Sequence, residues 1–282
     1  MIKIISDSTC DLTKDILEKY DISILPLHVI LGDKDLLDGV TITPDEIYAW
    51  ADENKTTPKT SAPSIEDAFN LFKPYVDNGD SIIYFSISKE MSTSINVINL
   101  AADELEATDR IFVIDSANLS TGVGHLVLEA AIMAKEGMEA HAIVEKIEEL
   151  KPKVRASFVV DTLTYLHRGG RCSSVAALAG GVLKLHPKIV VEDGKMNATK
   201  KYRGKMESVI LSYAKDMEED LCNAKADRVF ITHSGCSEEI IQSVYSYLEG
   251  LNIFKEIIVT RAGSVISSHC GYGTLGVLFI SK

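Results

Sequence analysis

The chain has 282 residues and a formal charge of −12, with 46% hydrophobic and 25% charged residues. That length exceeds one small core and fits two domains with a cleft between them, while the apolar share excludes a disordered chain. The negative balance excludes an electrostatic grip on nucleic acid, which rests on clustered Lys and Arg.

Five cysteines (Cys10, Cys172, Cys222, Cys236, Cys270) stand at scattered spacings without a CxxC pair, so free thiols in a reducing cytosol are expected and no zinc or redox centre. Met1 to Asp7 runs into an apolar strand with no basic region or cleavage site. No stretch of about 18 apolar residues occurs, so the expected protein is cytoplasmic and has no transmembrane segment.

Along the first half, apolar runs at 2–5, 22–31, 81–86 and 110–114 read as strands separated by amphipathic segments, which is βαβ patterning. Thr43-Pro44-Asp45-Glu46 joins an N-cap, a first-turn proline and a capping-box glutamate, and Ser64 with Asp67 repeats the device. Further helices are predicted over 92–106, 122–136 and 140–150. Lys151-Pro152-Lys153 then breaks the pattern, and a domain boundary is expected there, giving domains 1–153 and 154–282.

After a strand at 156–160, the runs 188–192 and 196–202 flank Asp193-Gly194, a strong two-residue hairpin signal; the first half shows no such hairpin. Helices at 204–223 and 237–251 and strands at 228–232, 254–260 and 274–280 complete the chain. The expected fold is α/β: an N-terminal, mainly parallel α/β domain and a C-terminal α+β domain with a mixed sheet.

Several first-half strands end in hydroxyls, namely Ser6, Ser8, Ser86, Ser88 and Ser116, and the strand ends of a parallel sheet gather at the edge where ligands bind. Just beyond, Met91-Ser92-Thr93-Ser94 opens a helix, so Ser92 and free backbone N–H groups could hold a carboxylate; a serine there more commonly caps its helix. Lys59-Thr60-Ser61-Ala62-Pro63-Ser64 reads as a hydroxyl-rich turn that leaves Thr60 and Ser61 free, or as an ordinary loop leading into a helix. His269 sits among small residues between Gly263 and Gly273, where a lone histidine is more often structural.

His167-Arg168-Gly169-Gly170-Arg171 brings cations and glycines into one turn, either to grip phosphate or to end a helix with solvated arginines. Gly271-x-Gly273-x-x-Gly276 precedes a strand and leaves too little chain for a ribose-binding acid, and Gly122-x-Gly124 lacks its third glycine, so neither is a dinucleotide site. No GxSxG elbow and no HExxH helix occur.

Together, Ser6-Asp7-Ser8, Lys59-Thr60-Ser61-x-Pro63-Ser64, the Ser92 loop, Arg168-Gly169-Gly170-Arg171, Glu192-Asp193-Gly194-Lys195 and Gly271-x-Gly273-x-x-Gly276 resemble the DegV family across essentially the whole chain. The resemblance implies a bacterial protein of two α/β lobes that buries a long-chain fatty acid in a tunnel. It implies that the carboxylate is presented to a dihydroxyacetone-kinase-like kinase subunit, which makes an acyl phosphate for phospholipid metabolism. Such a protein is a binding subunit rather than an enzyme, with no cofactor beyond its bound fatty acid ligand.

Carried over by motif, Thr60, Ser92 and His269 would hold the carboxylate with Ser61 beside them, and Arg171 would serve the acyl phosphate or the kinase. Ser264 and Tyr272 stand where the family commonly has proline, and Ser267 where it commonly has glycine, which bears on pocket shape. Two other readings are a serine hydrolase or acyltransferase using Ser92 with His269, and a lipid carrier or sensor that meets no kinase.

Overall fold

A computed structural model describes residues 1–176 and 185–282. In the first lobe, β1 (Ile2–Asp7), β2 (Ser23–Leu25), β6 (Ser81–Ser86) and β7 (Ile111–Asp115) form a parallel sheet in the order β2-β1-β6-β7. Its helices are α1 (Lys14–Lys19), α3 (Ile65–Asp77), α4 (Ser94–Glu104), α5 (Thr121–Lys135) and α6 (Ala140–Leu150). Both predicted capping boxes form: Thr43 and Glu46 start α2 (Pro44–Asn54), and Ser64 and Asp67 start α3.

The predicted strand at 22–31 is two strands, β2 and β3 (His28–Leu31), because Pro26 lacks the amide a continuous ladder needs. β3 turns through Gly32-Asp33 into β4 (Lys34–Leu37) and also pairs with β5 (Lys59–Ser61), forming a three-stranded antiparallel sheet. The first half therefore does hold a hairpin, contrary to the sequence reading, and Lys59-Thr60-Ser61 is a strand rather than a turn.

In the second lobe, β8 (Val154–Val159), β9 (Leu185–Glu192), β10 (Lys195–Arg203), β11 (Ala224–His233), β12 (Glu256–Arg261) and β13 (Leu275–Ser281) lie in the order β10-β9-β8-β13-β11-β12. Only β11 and β12 run parallel, so the sheet is mixed as expected. Asp193-Gly194 closes the β9–β10 hairpin with both residues at positive φ, the condition for a two-residue turn that matches strand twist.

α7 (Thr164–Gly169) and the short α8 (Ser173–Ala176) follow β8, and α11 (Glu238–Gly250) lies between β11 and β12. The helix expected over 204–223 divides into α9 (Met206–Lys215) and α10 (Glu218–Cys222). Among the helices without a forecast, α1 and α8 with them, is α12 (Ser264–Cys270), buried at every position except His269.

α5 lies between the two lobes and is apolar nearly all round, as a helix enclosed on both sides must be. Its buried His125 meets the Leu278 carbonyl of β13 through Nε2 at 3.0 Å. Ile83 and Phe85 of β6, Leu126 of α5, Phe158 of β8 and Leu278 of β13 belong to one continuous hydrophobic cluster, so the lobes share a core. Among the described residues, no helix is long and apolar enough to cross a membrane, and no group of side chains could hold a metal ion.

Candidate functional site

Strand pairing sets the position of Thr60, because β5 is registered on β3 with Thr60 opposite Val29. α12 comes from the other end of the chain and packs on α2, β3, β5 and α7. Its one incompletely buried side chain, His269, meets Thr60, with Nε2 2.8 Å from Oγ1.

Burial and the nearby Arg171 guanidinium hold the His269 imidazole down at about pKa 4, so it is neutral at ordinary pH. Its Nδ1 is buried without a partner, and Gly169 lies against it so closely that a Cβ there would stand 2.4 Å away. A proton on Nδ1 would be a buried, unbonded donor costing about 1–3 kcal/mol, so the proton belongs on Nε2. Nε2–H then donates to Thr60 Oγ1, which leaves the threonine hydroxyl hydrogen free to donate elsewhere.

Met91-Ser92-Thr93-Ser94 leads into α4 as read, but the helix starts at Ser94 with Thr93 as its N-cap, so Ser92 stands just before the cap rather than in the helix. Its Oγ accepts from the Ser94 amide at 3.2 Å and is 2.8 Å from Ser94 Oγ. Arg171 follows the turn that ends α7, where Gly170 takes the left-handed conformation. The guanidinium donates to Gly169 O at 2.7 Å and to Met91 O at 3.3 Å, tying that turn to the Ser92 loop.

These five residues (Thr60, Ser61, Ser92, Arg171 and His269) border one cavity of about 440 Å³, within the range of small-molecule sites. Beyond them its wall holds buried Leu27, Ile87, Leu119, Met196 and Ile266, and Lys89, Glu90 and Thr93 also border it. The wall was not read from sequence, since its residues come from five separated segments. Gly169 had a signal in its glycine pair, although its use, close approach to an imidazole, needs the fold.

The strand-end serines take no part in the cavity. Ser6, Ser86, Ser88 and Ser116 are fully buried, Ser88 donates to Gly194 O at 2.7 Å, and Ser8 donates to Asp38 at 2.8 Å. Their hydroxyls secure the sheet edge to the loops above it. His269 bonds Thr60, not Ser92, so the pair that a serine nucleophile would need is not formed. A larger groove of about 680 Å³ between β8 and β9 mixes Lys151, Arg155 and Lys188 with Glu192 and Asp220 and touches none of the candidate residues.

A family model described as the DegV family matches residues 1–282. A DegV domain-containing protein of Clostridium acetobutylicum is 31% identical over 288 residues, covering 100% of this chain and 99% of the relative. The solved structure of a DegV family protein from Thermus thermophilus, described as fatty acid binding, superposes with a TM-score of 0.91 at 30% identity, covering 100% of this chain and 99% of that one. A stearic-acid-binding protein from Eubacterium ventriosum superposes with a TM-score of 0.87 at 31% identity and the same coverage.

Proposed function

This chain belongs to the DegV family, and on that premise we propose that it binds a long-chain fatty acid in the 440 Å³ cavity and presents the carboxylate to a partner kinase. One observation carries the reading: the hydroxyls and imidazole of the mouth open onto an apolar wall, and Lys89, which also borders the cavity, is paired with Asp115 at 3.9 Å. Thr60 O–H and Ser92 O–H donate to the carboxylate without neutralising it, so its oxygens keep the charge needed to attack phosphorus. The apolar wall supplies most of the affinity, at about 0.8 kcal/mol for each CH₂ it buries.

In the phosphoryl step a carboxylate oxygen forms a bond to the terminal phosphorus of the kinase's nucleotide. The bond from that phosphorus to the nucleotide's bridging oxygen breaks, and the nucleoside diphosphate leaves with the electron pair. Arg171, already fixed by Met91 O and Gly169 O, stands at the mouth to meet the transferred phosphoryl group or the kinase. We place the boundary between the lobes at 153, where α6 gives way to β8.

Mass spectrometry of lipid extracted from the purified protein tests the ligand class; about one fatty acid per chain is expected, and a different or absent lipid would sink the reading. A reconstituted assay with a dihydroxyacetone-kinase-like subunit tests the partner. Arg171→Ala is expected to keep its lipid and fail to yield acyl phosphate, whereas full yield would remove Arg171 from that role.

A further inference from the structure

The N-terminal end of α12 meets a cluster of three buried carboxylates of the first lobe, two of which hold it. Asp11 accepts from the Gly263 amide at 2.8 Å and Asp38 from the Ser264 amide at 2.6 Å. Hydroxyls hold each acid from behind, Ser120 on Asp11 at 2.5 Å and Ser8 on Asp38 at 2.8 Å. Asp7, the third, accepts from the amides of Thr9 and Ile87. Gly263 lies between two of them; a Cβ there would come within 3.1 Å of Asp38 and 3.2 Å of Asp11, so any side chain would crowd both acids.

Among the described residues, no Lys, Arg or His nitrogen lies within 4 Å of these acids. Three buried carboxylates without a cation cannot all be charged at low cost. From this arrangement we propose that Asp11 and Asp38 are positioning residues for the cavity. They moor α12, and with it His269 and the apolar wall, while the cluster shares protons, and the mooring loosens when the cluster becomes fully charged.

Burial raises all three acids, Asp7 to about 6 and Asp11 to about 8, and neighbouring carboxylates add to it at Asp7 and Asp11. A raised carboxylate stabilises the fold while protonated, so the contribution of Asp11 is present below its ordinary value of 3.8 and is lost as pH rises through about 8. The groups facing the cluster stay silent there: burial holds the Cys10 and Cys270 thiols at about 12 and Tyr84 well above its ordinary value. On the elements packed against α12, Tyr48 and Tyr165 are likewise raised by burial, His28 is paired with Asp35 and Asp67, and Lys59 is exposed. His269, at about 4, is neutral throughout.

The deciding experiment follows hydrogen exchange of α12 amides, corrected for intrinsic rate, and release of the fluorescent fatty acid cis-parinarate, from about pH 7 to about pH 9. The wild type is expected to lose α12 protection and to release the probe roughly fivefold faster at the higher pH. Asp11→Asn keeps an acceptor for Gly263 and cannot ionise, so both readouts are expected to stay level. Equal pH dependence in the two proteins, or none in the wild type, overturns the proposal.

Should Asp11→Asn fail to fold, Ser120→Ala decides. Its hydroxyl favours the charged acid, so its loss is expected to move the loosening to higher pH, and a downward shift or none overturns the proposal. The release arm rests on the fatty acid reading. If the probe does not bind even at pH 7, that reading fails while the exchange arm still decides the mooring.

Discussion

The two ends of α12 both meet the first lobe through polar groups, yet the two contacts differ in what they leave over. At the N-terminal end both oxygens of Asp11 and of Asp38 have hydrogen-bond partners, and both acids lie close against Gly263, which has no side chain to part them. At the C-terminal end His269 keeps one unpaired nitrogen, Thr60 keeps a hydroxyl hydrogen, and a cavity opens beside them. A serine or aspartate at a strand end can belong to either assembly, and hydrogen-bonding capacity left unused beside empty space distinguishes a binding mouth from a clamp.

If the mouth orients the ligand while the wall holds it, shortening the acyl chain is the harshest test. Replacing a sixteen-carbon acid with a ten-carbon one removes six CH₂ groups, and by competition binding the loss should approach about 5 kcal/mol. A loss of less than about 1 kcal/mol would place the affinity in the mouth and break the comparison.

Next comes the clamp itself. Asp38→Ala strands the Ser264 amide and the Ser8 hydroxyl, and by chemical denaturation it should cost about 3 kcal/mol of fold stability. Wild-type stability in that variant would mean that α12 is held from elsewhere.

Gly169→Ala probes the mouth without altering any polar group. The added methyl must displace His269 from Thr60, so fatty acid binding should weaken by about 2 kcal/mol while the melting temperature changes little. Unchanged binding would show that the His269–Thr60 contact is not needed. The smallest change, Ser92→Ala, removes one hydroxyl from the mouth and should weaken binding by about 1 kcal/mol in titration calorimetry, with stability unaffected.

Local signals in the sequence were sufficient where the chemistry itself is local. The Thr43–Glu46 and Ser64–Asp67 boxes and the Asp193-Gly194 turn form as read, since each depends on residues within one turn. α12 escaped because Ser-Val-Ile-Ser-Ser-His-Cys is enclosed on every face and carries no amphipathic period, and its start is capped by acids more than 220 positions away. The hairpin at Gly32-Asp33 was hidden by reading 22–31 as one strand. Resemblance to the DegV family singled out Thr60, Ser61, Ser92, Arg171 and His269, which the fold brings to one cavity, but spacing alone could not gather them from opposite ends of the chain.

β13 pairs with β8 on one side and β11 on the other, although it follows both in the chain. During synthesis β10-β9-β8 and β11-β12 are therefore complete before the strand that joins them, and their inner rims stay unzipped until β13 threads between them. The helix that brings His269 to the cavity is translated just before that strand. A chain interrupted before β13 would leave the β8 and β11 rims unpaired, two seams open to other chains and to chaperones.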